Sequence, residues 1–244
     1  MKTFWKRLGR DILDVVFPGN CPICEGPPYR DEVSYSCLGC LDQLAWVRGA
    51  RCKKCGAQMY GIDYLGLTCS SCREQNHSFQ SGRCMFTLDQ RGTKIIHEIK
   101  YHGVKEVLGD LKLWLERSEG FREFLEDSIL VPVPLHWRRR RKRGFNQSLW
   151  IARGLAKELG SKVEVMDCMK RVRNTPTQTT MEKKARKKNV KNAFALTPGL
   201  CLDSNHRIVL IDDVFTTGAT LDACAQAWSE SGVKKVDIAT LGRG

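Results

Sequence analysis

The chain predicts an α/β protein: a parallel sheet with helices on both faces, preceded by a small cysteine-bound metal module. Three observations lead there. Eight cysteines fall in four Cys-x-x-Cys pairs before residue 80. After residue 83, strands that are apolar throughout alternate with amphipathic helices. One of those strands, "RIVLID", ends on two adjacent carboxylates, and a turn rich in threonine and glycine follows.

Size and composition set the frame. With 244 residues, 42% of them hydrophobic, the chain can hold one large domain or two smaller ones with a proper core. Forty Lys and Arg against 27 Asp and Glu leave a formal net charge of +13. Such a balance suits anionic partners: nucleic acid, phosphorylated small molecules or an anionic surface. No stretch reaches the roughly 18 apolar residues that a membrane span needs. Residues 1–20 are not a signal peptide, because Lys6, Arg7, Arg10, Asp11 and Asp14 interrupt any apolar core. Phe4, Leu8, Ile12, Val15 and Val16 recur at helical spacing, which predicts an N-terminal amphipathic helix ending before Pro18-Gly19 and packed on the rest of the protein.

The pairs Cys21/Cys24, Cys37/Cys40, Cys52/Cys55 and Cys69/Cys72 are separated by 12, 11 and 13 residues. Two cysteines three apart on a tight turn can aim both sulfurs at one ion, and two such turns complete a tetrahedral thiolate shell suited to zinc. Four pairs make two closed, structural zinc sites over residues 21–80, a segment too polar to hold a core unaided. Pairing is open between sequential (first with second, third with fourth) and cross-brace (first with third, second with fourth). A disulfide framework fits poorly where thiols stay reduced, and a redox dithiol explains one pair rather than four. Cys84, Cys168, Cys201 and Cys224 lack a partner motif and are expected as buried free thiols.

From residue 83 to 244 the strands are "CMFTLD", "SILVPVP", "KVEVM", "RIVLID" and "KKVDIATL". The helices are "TKIIHEIKYHG", "NQSLWIARGLAKELG" and "TLDACAQAWSESG". Apolar strands alternating with helices give a parallel sheet buried on both sides, and ligands bind beyond the carboxyl ends of such strands. Asp212 and Asp213 stand at one such end. The small-residue turn that follows opens a helix, where unpaired amides and the helix dipole favour a phosphate. Thr216, Thr217 and Thr220 add hydroxyls, and Gly218 lets the backbone come close. The carboxylates cannot serve that phosphate, but they can accept hydrogen bonds from sugar hydroxyls or hold a Mg²⁺ that the sugar chelates. A 5-phosphorylated ribose offers both a phosphate and a diol.

"VLIDDVFTTGAT" resembles the signature of type I phosphoribosyltransferases, which bind 5-phosphoribosyl-1-pyrophosphate (PRPP) with Mg²⁺. The resemblance implies that Asp212 and Asp213 contact the ribose hydroxyls. It assigns the rest of the PRPP loop to Val214, Phe215, Thr216, Thr217, Gly218, Ala219 and Thr220. A cysteine-pair module ahead of such a domain resembles the ComF family of competence-associated proteins. The motifs "VFPGNCPIC", "IKYHG", "LVPVPLHWRRRRKRGFNQS" and "TPTQTTMEKKARKKNVKNAF" carry that likeness over nearly the whole chain.

The family likeness implies that the loop after "VPVP" lies near the pyrophosphate, and Arg143, beside Gly144, is the expected contact. The segment from Arg171 to Met181 resembles the mobile loop that closes over PRPP, with Arg171, Arg173, Thr175 and Gln178 as candidate contacts. Two functions follow. One is a phosphoribosyltransferase attacking C1 of PRPP with an unidentified nitrogen acceptor; the zinc module stands in chain order where a hood over the acceptor could arise. The other, which the ComF likeness favours, is a cytoplasmic protein of DNA uptake that handles single-stranded DNA, alone or with other DNA-uptake proteins. Arg138, Arg139, Arg140, Arg141 and Lys142, and the basic run 183–191, would contact the strand. Trp137, Phe145 and Trp150 either stack on its bases or belong to the core.

Overall fold

The computed structural model describes residues 20–26, 35–60, 68–102, 106–173, 193–199, 202 and 206–244. The helix expected within residues 1–20, the basic run 183–191, Cys201, and Thr175 and Gln178 of the expected closing loop lie outside the described residues.

Two short helices, α1 (Leu38–Asp42) and α2 (Ser70–Arg73), belong to the cysteine-rich part. Then come β1 (Gly82–Thr87), α3 (Gln90–His97), α4 (Leu111–Arg117), α5 (Phe121–Leu125), β2 (Ser128–Pro132) and α6 (Trp137–Arg143). The chain continues through α7 (Gln147–Leu159), β3 (Val163–Val165), β4 (Met169–Arg171), β5 (Phe194–Leu196), β6 (Arg207–Phe215), α8 (Ala219–Glu230) and β7 (Lys235–Arg243). Five strands form a wholly parallel sheet in the order β1-β7-β6-β2-β3, while β4 and β5 make a separate antiparallel pair.

The apolar run of β6 follows from its interior place in the sheet. Ile208 and Leu210 pack on one face with Leu221, Cys224, Ala225 and Trp228 of α8. Val209 and Ile211 pack on the other with Ile151, Ala152 and Leu155 of α7 and with Trp114 of α4. Both faces are covered, so no position of the run can be polar without a partner. The carboxyl ends of β2 and β6 then open together at the top of the sheet, where Val133 N–H bonds Ile211 O at 2.9 Å.

The cysteine-rich part is built onto the edge of this sheet. Val47 N–H donates to Met85 O (2.9 Å) and Thr87 N–H to Ala45 O (2.8 Å), so residues 45–47 run antiparallel along β1. Cys21, Ile23, Cys40, Leu41 and Trp46 join the core on the α7 face. Cys52, Cys55, Cys72 and Phe79 join the core on the α8 face. Gly56, at φ 74°, presses so closely on β1 that an added Cβ would lie 2.7 Å from the Arg83 Cα. Buried Asp110 ties the first half down by accepting from Tyr35 N–H (2.6 Å) and Ser36 N–H (2.8 Å).

The structure departs from expectation at three places. The basic run, expected as a loop, is helix α6. The Nδ1 of His136 caps it by accepting from Arg138 N–H (3.3 Å), and Gly144, at φ 83°, ends it. The helix expected over "TKIIHEIKYHG" stops at His97 and continues as a π turn, Glu98–His102. Arg171 does not begin a loop but closes β4, paired with Phe194 of β5. The thiols of Cys84, Cys168 and Cys224 are buried as expected. Burial pushes Cys84 up to about 12 and Cys168 to about 11, and raises Cys224 well above the ordinary thiol range. They are inert at neutral pH.

Candidate functional site

The eight paired cysteines form two clusters, Cys21/Cys24/Cys37/Cys40 and Cys52/Cys55/Cys69/Cys72, with the sulfurs of each within 4.8 Å of one another. Pairing is therefore sequential, not cross-brace. Zn–S bonds of ~2.3 Å at tetrahedral angles require sulfurs about 3.8 Å apart. The Cys24 and Cys37 sulfurs are 3.9 Å apart and those of Cys55 and Cys69 are 3.8 Å apart. The two halves repeat one another. Cys37 N–H points at Cys21 Sγ (3.4 Å) and Cys69 N–H at Cys52 Sγ (3.3 Å), contacts that favour thiolates. Each third cysteine sits at the N-cap of a short helix, α1 or α2. Four sulfur donors per cluster fit a closed zinc site with no open coordination position.

A cleft of about 390 Å³ lies beyond the carboxyl ends of β2 and β6. Asp212, Asp213 and Val214 form its floor, and Thr216, Gly218, Ala219 and Thr220 one wall. Phe215 and Thr217 are buried and do not line it; the Phe215 ring supports the turn from below. Gly218, at φ 75°, is the N-cap of α8 and has no side chain to cap it; the one side-chain contact to the first turn is long, Ala219 N–H to Thr217 Oγ1 at 3.5 Å.

The two carboxylates are held differently. Asp212 Oδ1 accepts from Ser148 Oγ (2.9 Å) and from Asp213 N–H (2.9 Å). Ser148 is aimed by Asn146, which caps α7 at Ser148 N–H (3.2 Å) and donates to Val133 O (3.1 Å). Burial, then the charge of Asp213, pushes the Asp212 carboxyl up to about 7. Asp213 is 4% exposed; its Oδ1 pairs with Lys100 Nζ at 3.3 Å, and its Oδ2 has no hydrogen-bond partner among the described residues. A buried carboxylate oxygen left so is costly unless a ligand hydroxyl or a cation meets it. The donor set thus fits a sugar diol or a Mg²⁺ that a sugar carries.

Facing the acids are four cations: Lys100 from the π turn, Arg139 and Arg143 from α6, and Arg171 from β4. Arg143 donates to Gln147 Oε1 (2.7 Å) and lies 5.3 Å over the ring of Tyr101. Burial, then the neighbouring guanidiniums, lowers the pKa of Arg139 and Arg171. A site that crowds positive charge in this way gains from an anion with several oxygens.

Helix α6 divides the basic run. Arg139 and Arg143 are half-buried in the cleft, while Trp137, Arg138, Arg140 and Arg141 are exposed. Phe145 and Trp150 stack on each other at 3.9 Å between ring centres, half-buried, so they are packing residues. Arg173 is exposed and outside the cleft lining. None of the described cysteine-module residues lines the cleft, so the hood expected from chain order is not seen among them. Lys100, Tyr101 and Ser148 carried no expected role. The only signal for Lys100 and Tyr101 was the unexplained "IKYHG", whose π turn leaves no mark in a helical pattern.

A family model described as a phosphoribosyl transferase domain matches residues 146–243, and one described as a double zinc ribbon domain matches residues 12–73. The class is thereby defined: a double zinc ribbon joined to a phosphoribosyltransferase-fold domain. "DNA utilization protein YhgH" of Salmonella typhimurium is 31% identical over 93% of this chain and 97% of its own length. "Competence protein F" of Haemophilus influenzae is 24% identical over 86% of this chain and 97% of its own. The chain belongs to this ComF/YhgH family. A solved purine phosphoribosyltransferase from Pyrococcus horikoshii aligns with 56% of this chain and 83% of its own, at 18% identity and a TM-score of 0.32. No helix among the described residues is long and apolar enough to cross a membrane.

Proposed function

We propose that the cleft binds PRPP with Mg²⁺ and that the protein acts in DNA uptake during natural transformation, handling single-stranded DNA in the cytoplasm. The observation that carries the PRPP reading is the acid pair Asp212–Asp213, with a buried oxygen that has no hydrogen-bond partner among the described residues, set between the glycine-capped start of α8 and the cations Lys100, Arg139, Arg143 and Arg171. The amides at Ala219 and Thr220, with the Thr216 and Thr220 hydroxyls, take the 5-phosphate. Asp212 and Asp213 accept from the ribose hydroxyls. Arg143, joined by Lys100, Arg139 and Arg171, takes the diphosphate, and Mg²⁺ arrives chelated by PRPP. Cys21, Cys24, Cys37 and Cys40 hold one structural Zn²⁺; Cys52, Cys55, Cys69 and Cys72 hold the second. The role in DNA uptake rests on the names of the relatives and on the net charge of +13.

The test is equilibrium calorimetry of PRPP with and without Mg²⁺, beside a titration with single-stranded DNA. Saturable binding of both ligands is expected. A protein that binds DNA and ignores PRPP overturns the reading of the cleft.

The second reading is an active phosphoribosyltransferase. Four cations around the diphosphate position favour it, because they would steady that group as it departs. Pyrophosphate release from PRPP in the presence of nitrogen acceptors separates a transferase from a binding protein.

A further inference from the structure

Trp137 is 55% exposed, an unusual setting for a residue that is highly buried on average. The guanidiniums of Arg138 and Arg141 each lie 5.3 Å from its ring centre. Arg140 is exposed beside them, and the sequence from Val133 to Lys157 contains no acid. The opposite side of the same helix, Arg139 and Arg143, is committed to the cleft.

We propose that this outer face of α6 is a platform for one unstacked base of single-stranded nucleic acid. The base lies on Trp137, and the phosphates that flank it lie on Arg138 and Arg141. The proposal rests on the reading that this protein handles single strands. The chemistry is specific to that partner. Any base can stack on an indole, which makes the platform tolerant of sequence. The guanidiniums of Arg138 and Arg141 lie over the ring, and on binding they swing from its face to the flanking phosphates and leave the indole to the base. A duplex keeps its bases stacked inside and cannot offer one. The cleft does not suit the strand, because its acid pair calls for a free diol, which internal DNA residues lack. One helix of seven residues therefore serves two ligands from opposite sides.

The experiment is fluorescence anisotropy of labelled oligothymidylate across a salt series, with PRPP calorimetry on the same variants. Trp137→Ala should weaken DNA binding about tenfold, and Trp137→Phe should keep most of it. Arg138→Gln with Arg141→Gln should reduce the log–log salt slope by about 1.4, at ~0.7 per phosphate contact. Neither change should move PRPP affinity. Arg143→Gln should do the reverse, losing PRPP and sparing DNA. Thermal melts of Trp137→Ala and Trp137→Phe report whether each is folded. If Trp137→Ala binds DNA as the parent does, the platform is wrong although the DNA reading stands. Equal binding of a blunt duplex, unaffected by the substitution, reduces the face to bulk charge and also overturns it. If the parent binds anionic vesicles but no oligonucleotide, both the platform and the DNA reading fall.

Discussion

His77 packs directly beneath Gly218: a Cβ added at Gly218 would lie 3.2 Å from the His77 Cε1, and 2.5 Å from the Phe215 Cζ. The His77 ring is stacked on Phe79, 4.6 Å between centres. Next to it, Ser78 N–H donates to Asp222 Oδ1 (2.6 Å) in the first turn of α8. The stretch that leaves the second cysteine cluster therefore forms the underside of the proposed phosphate loop.

Gly218→Ala should distort that loop. A non-glycine residue at this positive φ costs ~1–2 kcal/mol before any clash, and the Phe215 ring leaves no room for the methyl. PRPP affinity should fall at least about tenfold, and the melting temperature by a few degrees, roughly the shift that 1 kcal/mol gives in a domain of this size. Calorimetry and a thermal melt check both. Unchanged affinity would mean that the loop does not touch the ligand.

Asp212→Asn with Asp213→Asn should abolish PRPP binding while the fold survives. Each charge-assisted hydrogen bond lost is worth about 1.5–3 kcal/mol. The pair also repels polyanions, so DNA binding should hold or strengthen. A folded double variant that binds PRPP like the parent would show that the ligand lies elsewhere.

Stability should fall with rising pH through the Asp212 titration. Its carboxyl is raised to about 7, first by burial and then by Asp213. An acid whose folded pKa exceeds its unfolded value holds its proton more tightly when folded. Its contribution is complete below about pH 4 and is lost as pH rises through about 7. The ligand-free protein should therefore gain stability relative to Asp212→Asn as the pH is lowered from about 8 to about 5. Urea melts of both proteins across that range read the difference, and parallel curves would refute it.

Zinc should be found at two ions per chain in protein purified under reducing conditions. The sulfur spacings of 3.9 and 3.8 Å motivate this. Cys52→Ser should remove one ion and, through the 77–79 stretch, weaken PRPP more than Cys24→Ser does. Metal near zero with all eight thiols in disulfides would contradict the assignment.

The sequence carried the sheet and both ligand-bearing signatures because each is local. An apolar run with acids at its end, or two sulfurs three apart, can be seen in a dozen residues. What it hid is non-local. Lys100 meets Asp213 only because a π turn rotates it there, and Ser148 reaches Asp212 only after Asn146 has fixed the start of α7. The arginine run looked uniform, since nothing in six consecutive basic residues marks which will face inward. The cap at His136 and the stop at Gly144 set that rotation.

The antiparallel run of residues 45–47 along β1 has a consequence for solubility. A parallel sheet ending on β1 would present a bare row of amides and carbonyls, a template for joining another chain. Here the row is occupied by a segment whose position depends on the cysteine clusters on either side of it. A chain deprived of metal would keep the five-stranded sheet and the helices packed on it but uncover that edge. Its first failure would be self-association, visible as oligomers on a sizing column before helical content is lost.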